Sequence, residues 1–234
     1  VEAVIHKALN YWFTAKPVCL NWWYNQIGIP KTLGTVFILF EKQLTPVEKQ
    51  NAITVMENAK FGMTGQNKVW LAGNVMMRAL LQNDYELVKM ARDTIASEIV
   101  TGGAEGIKDD WCFHQHGAQQ QFGNYGLSFV SGMSFFSGLF SGTSLAFDDK
   151  QLSILSTLID KGYRWVIWKG MMDVNALGRQ LFHHAPVHKA LSLAFAASEL
   201  GGGESDECVA VATALLRDNY PAPAVNVLTG HKHF

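Results

Sequence analysis

What most constrains this chain is the recurrence of apolar residues at three- and four-residue spacing, with no convincing two-residue alternation along it. From Asp84 onward, Leu87, Val88, Ala91, Ile95 and Ile99 fall on one stripe, and Leu152, Leu155, Ile159, Tyr163, Val166 and Ile167 repeat the pattern. Side chains so spaced share one helical face and must be buried together. Thr45-Pro46-Val47-Glu48 reads as a helix start: Thr45 offers a capping oxygen, Pro46 suits the first helical position, and Glu48 can close a capping box. That helix is expected to run to about Asn58. Others are expected at about 2–14, 31–43, 68–82, 125–140, 187–200 and 205–218. The expectation is an all-α chain of antiparallel helix pairs, folded as a single domain over residues 1–234. With 48% hydrophobic and 17% charged residues, it can bury a sizeable core.

Charge and cysteine usage exclude several classes. A formal net charge of −1 lacks the field of a nucleic-acid binder, so no nucleic-acid partner is expected. An anionic ligand would need a local basic groove, for which Lys31, Lys60, Lys68, Arg78, Arg164, Lys169 and Lys189 are available. Three scattered cysteines make neither a disulfide framework nor a zinc knuckle. No apolar run reaches the roughly 18 residues of a membrane span, and residues 1–15, with His6, Lys7 and Asn10, are amphipathic. No membrane partner is expected. The chain's two ends read as those of a segment from a longer polypeptide. His184 and His188 share a helical face, but no carboxylate completes a metal site, so neither metal nor cofactor is expected. Asp109-Asp110 and Asp148-Asp149 are adjacent acids of the kind found in loops and helix caps, whereas a glycosidase pair spans a cleft.

Chemistry concentrates in the long connector at 101–124. It contains Asp110-Trp111-Cys112-Phe113-His114-Gln115-His116-Gly117 and leads into Phe122-Gly123-Asn124-Tyr125-Gly126. Long ordered loops on helical scaffolds commonly carry function. Upstream stand Asn21-Trp22-Trp23-Tyr24-Asn25-Gln26-Ile27-Gly28-Ile29-Pro30 and Thr64-Gly65-Gln66-Asn67, and downstream Gly178-Arg179. In this order the segments resemble the chondroitin AC, hyaluronate and xanthan lyase family, whose patterns are N-W-W-x-x-x-I-G-I-P, T-G-A-N, F-x-Q-H, Y-G-x-Y-G and G-R. Two departures stand out. Phe122 replaces the first tyrosine of the turn, and His183 stands where the family often has a second arginine, which bears on substrate contacts there.

The resemblance implies an incomplete α/α toroid that continues into C-terminal β-sandwich domains, in a secreted or periplasmic enzyme of bacterial type. It implies β-elimination across the uronic acid of an anionic polysaccharide. The proton next to a carboxylate is too weakly acidic until that carboxylate is neutralised, a task for an amide such as Asn67 with His116 or Arg179. Tyr125 would then act as base and afterwards as acid. A phenol titrates near pH ~10, so use near neutrality calls for an adjacent cation, and Arg179 is the natural one. His116 would hold the uronate, or act as base where the sugar epimer presents its proton on the other face. Asn21, Trp22, Trp23, Gln115, Asn124 and His183 are the substrate-contact candidates. Trp22 and Trp23 cannot both face one helix core, which leaves at least one free to stack on a sugar. Asn67 also has the chemistry of a helix cap. A toroidal glycoside hydrolase and a noncatalytic carbohydrate-binding fragment are the competing functions.

Overall fold

The stripes read from the sequence become helices, grouped into two units. The computed structural model describes residues 1–201 and 206–219. One unit comprises Val1–Met63 with Asn67–Ser97, and the other comprises Thr64–Gln66 with the chain from Glu98 onward.

In the first unit, α1 (Glu2–Ala15) ends where Lys16 turns left-handed at φ 44° and its N–H returns to the Trp12 carbonyl. A π-helical turn at Tyr24–Gly28 leads into α2 (Ile29–Leu39), which has Pro30 in its first turn. The helix α3 (Pro46–Met56) begins with the expected capping box, both of whose bonds are formed between Thr45 and Glu48. The unit is completed by α4 (Gly65–Gln82), whose first two residues belong to the other unit, and α5 (Tyr85–Ala96), capped by Asp84 accepting from Leu87 N at 3.0 Å. Leu9, Phe13, Phe37, Ala52, Met56 and Leu81 form the core. Each large apolar side chain buried there is worth about 1.5–3 kcal/mol. Gly34 lets α2 approach its neighbours, since a Cβ there would stand 2.8 Å from Met56 Cε and 2.9 Å from Met77 Cε. Asn74 of α4 donates to the Ile27 carbonyl at 3.0 Å, satisfying an acceptor of the π-turn.

The second unit opens with a short antiparallel ladder, β1 (Gly106–Ile107) with β2 (Phe113–His114). A π-helical turn at Phe122–Gly126 then feeds α6 (Leu127–Phe140). Next is α7 (Asp149–Thr157), started by an Asp148/Gln151 capping box. The stripe that ran to Ile167 does not make one helix. After Thr157 the chain passes through a π-turn (Leu158–Gly162) and a 3-10 turn (Tyr163–Val166) into the hairpin β3 (Ile167–Trp168) and β4 (Met171–Met172). Gly162 permits this change, because a Cβ there would collide with the Trp111 carbonyl. Lys169 and Gly170 then turn the hairpin at φ 46° and 70°. The four strands among the described residues are each two residues long, too short for alternation to register in the sequence. Two long helices follow, α8 (Ala185–Gly201) and α9 (Asp206–Asn219). The first of them packs on α6 and α9 and is tied to α6 by Ser134 Oγ donating to the Ala196 carbonyl at 3.0 Å.

Candidate active site

The connector expected to carry chemistry is ordered by three nested turns of the second unit. The β1–β2 hairpin closes through Lys108 N to the Cys112 carbonyl at 2.8 Å, with Trp111 left-handed at φ 65° and Asp110 Oδ1 accepting from Cys112 N at 3.0 Å. The bonds from the Cys112 amide and thiol lower the Asp110 carboxyl below its ordinary range. Asp110 is therefore a turn-former, as the adjacent-acid pattern suggested. A second loop rises from β2 and closes at its base by Gln115 N donating to the Gln119 carbonyl at 3.1 Å. His116 and Gly117 form its tip, both left-handed at φ 60° and 76°. The chain returns through Gln121 N to the Phe113 carbonyl at 2.8 Å and enters the π-turn that carries Tyr125.

These turns bring two expected residues together. His116 Nε2 lies 3.0 Å from the Tyr125 hydroxyl, and the two rings meet edge-on with centroids 5.0 Å apart. The phenol is buried at 7% exposure, while the histidine is open to solvent. Depending on tautomer, the imidazole accepts from the phenol or donates to it, so one short contact can pass a proton either way.

The π-turn is held from beneath. Tyr163, fully buried, donates to the Phe122 carbonyl at 3.1 Å, and burial pushes its own phenol well above the ordinary range. Lys189 donates to the Gly123 carbonyl and to Gln180 Oε1, and burial depresses its ammonium. Lys189 was grouped with possible groove cations. At 7% exposure it is instead a buried strut. Gly123 lets residues 172–177 press on the turn, since a Cβ there would stand 2.7 Å from the Ala176 carbonyl and 2.8 Å from Met172 Sδ. Gly178 is left-handed at φ 63° and packs near Gln121 and Asn124, so Arg179 leaves the chain beside the turn with its side chain exposed.

The other expected residues are placed as follows. Asn124 lies on the π-turn and is half-buried. His183 is exposed and its ring contacts His184 at 3.7 Å between centroids, with His188 5.9 Å beyond His184. Gln115 does not face solvent: it is 1% exposed, and its carboxamide bonds Gln66 N, the Thr64 carbonyl and Glu105. In the first unit, Asn67 is not the cap of α4. That helix begins at Gly65, so Asn67 sits in the first turn, 6% exposed, with its buried Oδ1 lacking a partner. Asn21 accepts from Trp23 N at 3.0 Å. Trp22 is 43% exposed, whereas Trp23 is packed edge-on against Tyr24 and Trp70 at 5.4 and 5.5 Å. The two adjacent indoles thus divide as expected, one outward and one packed. Lys31 Nζ stands 5.6 Å from the Trp70 ring, and burial lowers its ammonium.

Sequence reasoning overlooked Glu105, Tyr163 as a buttress, and the buried role of Lys189. Only Tyr163 carried a signal, its place on an apolar stripe.

Comparison with known proteins agrees with the family resemblance. Residues 1–199 match the family profile described as polysaccharide lyase family 8, N terminal alpha-helical domain. A chondroitinase-AC of Pedobacter heparinus is 31% identical over 180 residues, covering 75% of this chain and 26% of that protein. A xanthan lyase of Bacillus sp. is 27% identical over 178 residues, covering 74% of this chain and 19% of the relative. Among solved structures, a Paenibacillus xanthan lyase shares the fold with a TM-score of 0.84 at 21% identity, covering 98% of this chain and 24% of its own. A chondroitinase AC lyase solved with oligosaccharides gives 0.80 at 26% identity, covering 94% of this chain and 33% of that one. The chain spans 26% and 19% of the lengths of the two curated relatives, about a quarter and a fifth.

Proposed function

Because the chain belongs to polysaccharide lyase family 8, we propose that it carries the catalytic helical part of an enzyme that cleaves uronic-acid-containing glycosaminoglycans of the chondroitin and hyaluronan type by β-elimination. The observation that carries this reading is the 3.0 Å contact between His116 Nε2 and the Tyr125 hydroxyl at the tip of an ordered loop. A group that removes a proton from carbon and then returns one to a departing oxygen is served by a hydrogen-bonded partner, and His116 stands at that distance from Tyr125.

In the proposed reaction, Asn67 and His116 neutralise the uronate carboxylate, and Arg179 stabilises the phenolate of Tyr125. Tyr125 takes the proton next to the carboxylate. The glycosidic carbon–oxygen bond breaks, a carbon–carbon double bond forms in conjugation with the carboxylate, and the leaving oxygen receives the proton from Tyr125. Trp22, the more exposed of the adjacent indoles, offers a face for sugar stacking. Acting on a polymer too large to enter a cell, the enzyme works in the periplasm or outside.

The test is a product assay of the full-length protein on chondroitin sulfate, hyaluronan and xanthan. A lyase yields unsaturated ends that absorb in the ultraviolet, and Tyr125→Phe should lower kcat by about 10²–10⁴-fold. Saturated reducing ends would mark a hydrolase, and undiminished activity of the variant would remove Tyr125 from the mechanism.

A further inference from the structure

We infer that Glu105 is a positioning residue for the reaction, its carboxylate fixing the loop that presents His116 and coupling that loop, through Gln115, to the start of α4. The inference rests on the lyase reading of His116 and Tyr125 and deepens it.

The geometry follows from the short ladder. Glu105 immediately precedes β1, and Gly106 pairs with His114 at the foot of the His116 loop, so the carboxylate is delivered to the loop by strand register. Its Oε1 accepts from Gly117 N at 3.0 Å, at the loop tip. Its Oε2 accepts from Thr64 Oγ1 at 2.5 Å and from Gln115 Nε2. Gln115 in turn accepts from Gln66 N at 2.9 Å and donates to the Thr64 carbonyl at 3.3 Å. One carboxylate and one carboxamide therefore lock the residues on either side of His116 to the segment that ends just before Asn67. A side chain at Gly65 would collide with Gln115, so the packing leaves no slack there.

Such locking is needed because His116 occupies a left-handed backbone conformation that an L-residue adopts only when its surroundings enforce it. The loop's own bond, Gln115 N to Gln119, closes its base and leaves the tip free to relax. Burial alone would raise the Glu105 carboxyl, but bonds from Thr64 and from the Gly117 and His116 backbone, with the His116 imidazole nearby, outweigh it and lower it below the usual range. The group is thus ionised at working pH and can hold its donors.

The test exploits hydrogen-bond polarity. Gln115 cannot flip its amide, because Oε1 is held by Gln66 N–H. Glu105→Gln therefore sets its own N–H against the Gln115 N–H or, turned over, against the Gly117 N–H, and one anchor of the loop is lost in either orientation. In the full-length protein, Glu105→Gln should lower kcat by about 10–100-fold, as a displaced catalytic group does, with KM changed less than about threefold. A purely structural role would instead lower the unfolding midpoint without this kcat-selective loss. Wild-type kcat in Glu105→Gln, or a loss carried by KM with kcat unchanged, overturns the inference. Tyr125→Phe in the same assay separates the two readings. If it stays active, the site assignment falls. If it is inactive while Glu105→Gln is normal, only the role of Glu105 falls.

Discussion

Gly126→Ala is the sharpest probe of how the turn that carries Tyr125 is held. A Cβ at Gly126 would stand 2.6 Å from the Tyr163 hydroxyl, where ordinary contact begins at 3.4 Å, a shortfall of 0.8 Å, and 3.0 Å from both the Gln121 carbonyl and Phe113 Cβ. Tyr163 is wholly buried and its hydroxyl is tied to the Phe122 carbonyl, so it cannot swing away. Overpacking of this kind costs about 1–3 kcal/mol, and three simultaneous contacts place this case at about 3 kcal/mol. Tyr163→Phe alone loses one buried bond, about 1 kcal/mol, since the Phe122 carbonyl still accepts from Leu127 N–H. In the double variant the closest clash disappears with the phenol oxygen. Urea unfolding of the four proteins should therefore show the double variant at least about 1 kcal/mol more stable than the sum of the single effects, beyond the additivity error of about 0.3–0.5 kcal/mol. Additive behaviour would refute the claim that the Tyr163 hydroxyl and Gly126 share one packing space. Gly126→Ala should also depress kcat, because the displaced backbone adjoins Tyr125.

Two further outcomes follow from buried charges. Lys189→Met removes the charged donor from the Gly123 carbonyl and Gln180. The lost bonds are partly offset by relief from burying a charge, for a net loss of about 2 kcal/mol near neutrality by urea unfolding. Burial holds the folded Lys189 ammonium below its ordinary range, so in the alkaline window up to pH ~10.4 the unfolded chain binds a proton that the folded one has released. Wild type should gain stability with rising pH across that window, and Lys189→Met should lack that component. Glu48 shows a dependence of the same sign in the acid range. Burial would raise its carboxyl, but bonds from Thr45 and His6, together with the His6 charge, lower it overall. Its contribution is therefore full above pH ~4.3 and is lost as pH falls through the folded value. Acid titration of stability should be shallower in Glu48→Gln, and an unchanged slope would discount the His6–Glu48 contact at 2.9 Å.

Legibility in the sequence tracked how local each determinant is. The caps at Thr45, Asp84 and Asp148 operate within three residues, and the first two helix starts were accordingly placed to within a residue. The end of the stripe after Thr157 was not legible, because the turns that follow bring Gly162 against the Trp111 carbonyl, a close approach across about fifty residues. The motifs similarly named His116 and Tyr125, but Glu105 stands in an unremarkable Gly-Gly-Ala-Glu-Gly run. Its importance comes only from strand register. Lys189 read as one more basic residue on a helix, since no pattern reveals which lysine turns inward.

The two motif-bearing π-turns share a construction that helical spacing alone does not reveal. Tyr24–Gly28 and Phe122–Gly126 each run directly into an α-helix, so their apolar residues keep helical spacing while the backbone register has slipped by one. That slip displaces carbonyls from their usual intrahelical partners, and a buried donor from a later part of the chain engages each set. Asn74 reaches the Ile27 carbonyl in the first unit, and Tyr163 and Lys189 reach Phe122 and Gly123 in the second. In both units, then, a polar side chain distant in sequence bonds a carbonyl of the π-turn. Tyr163 and Lys189 therefore help hold the backbone that carries the phenol of Tyr125.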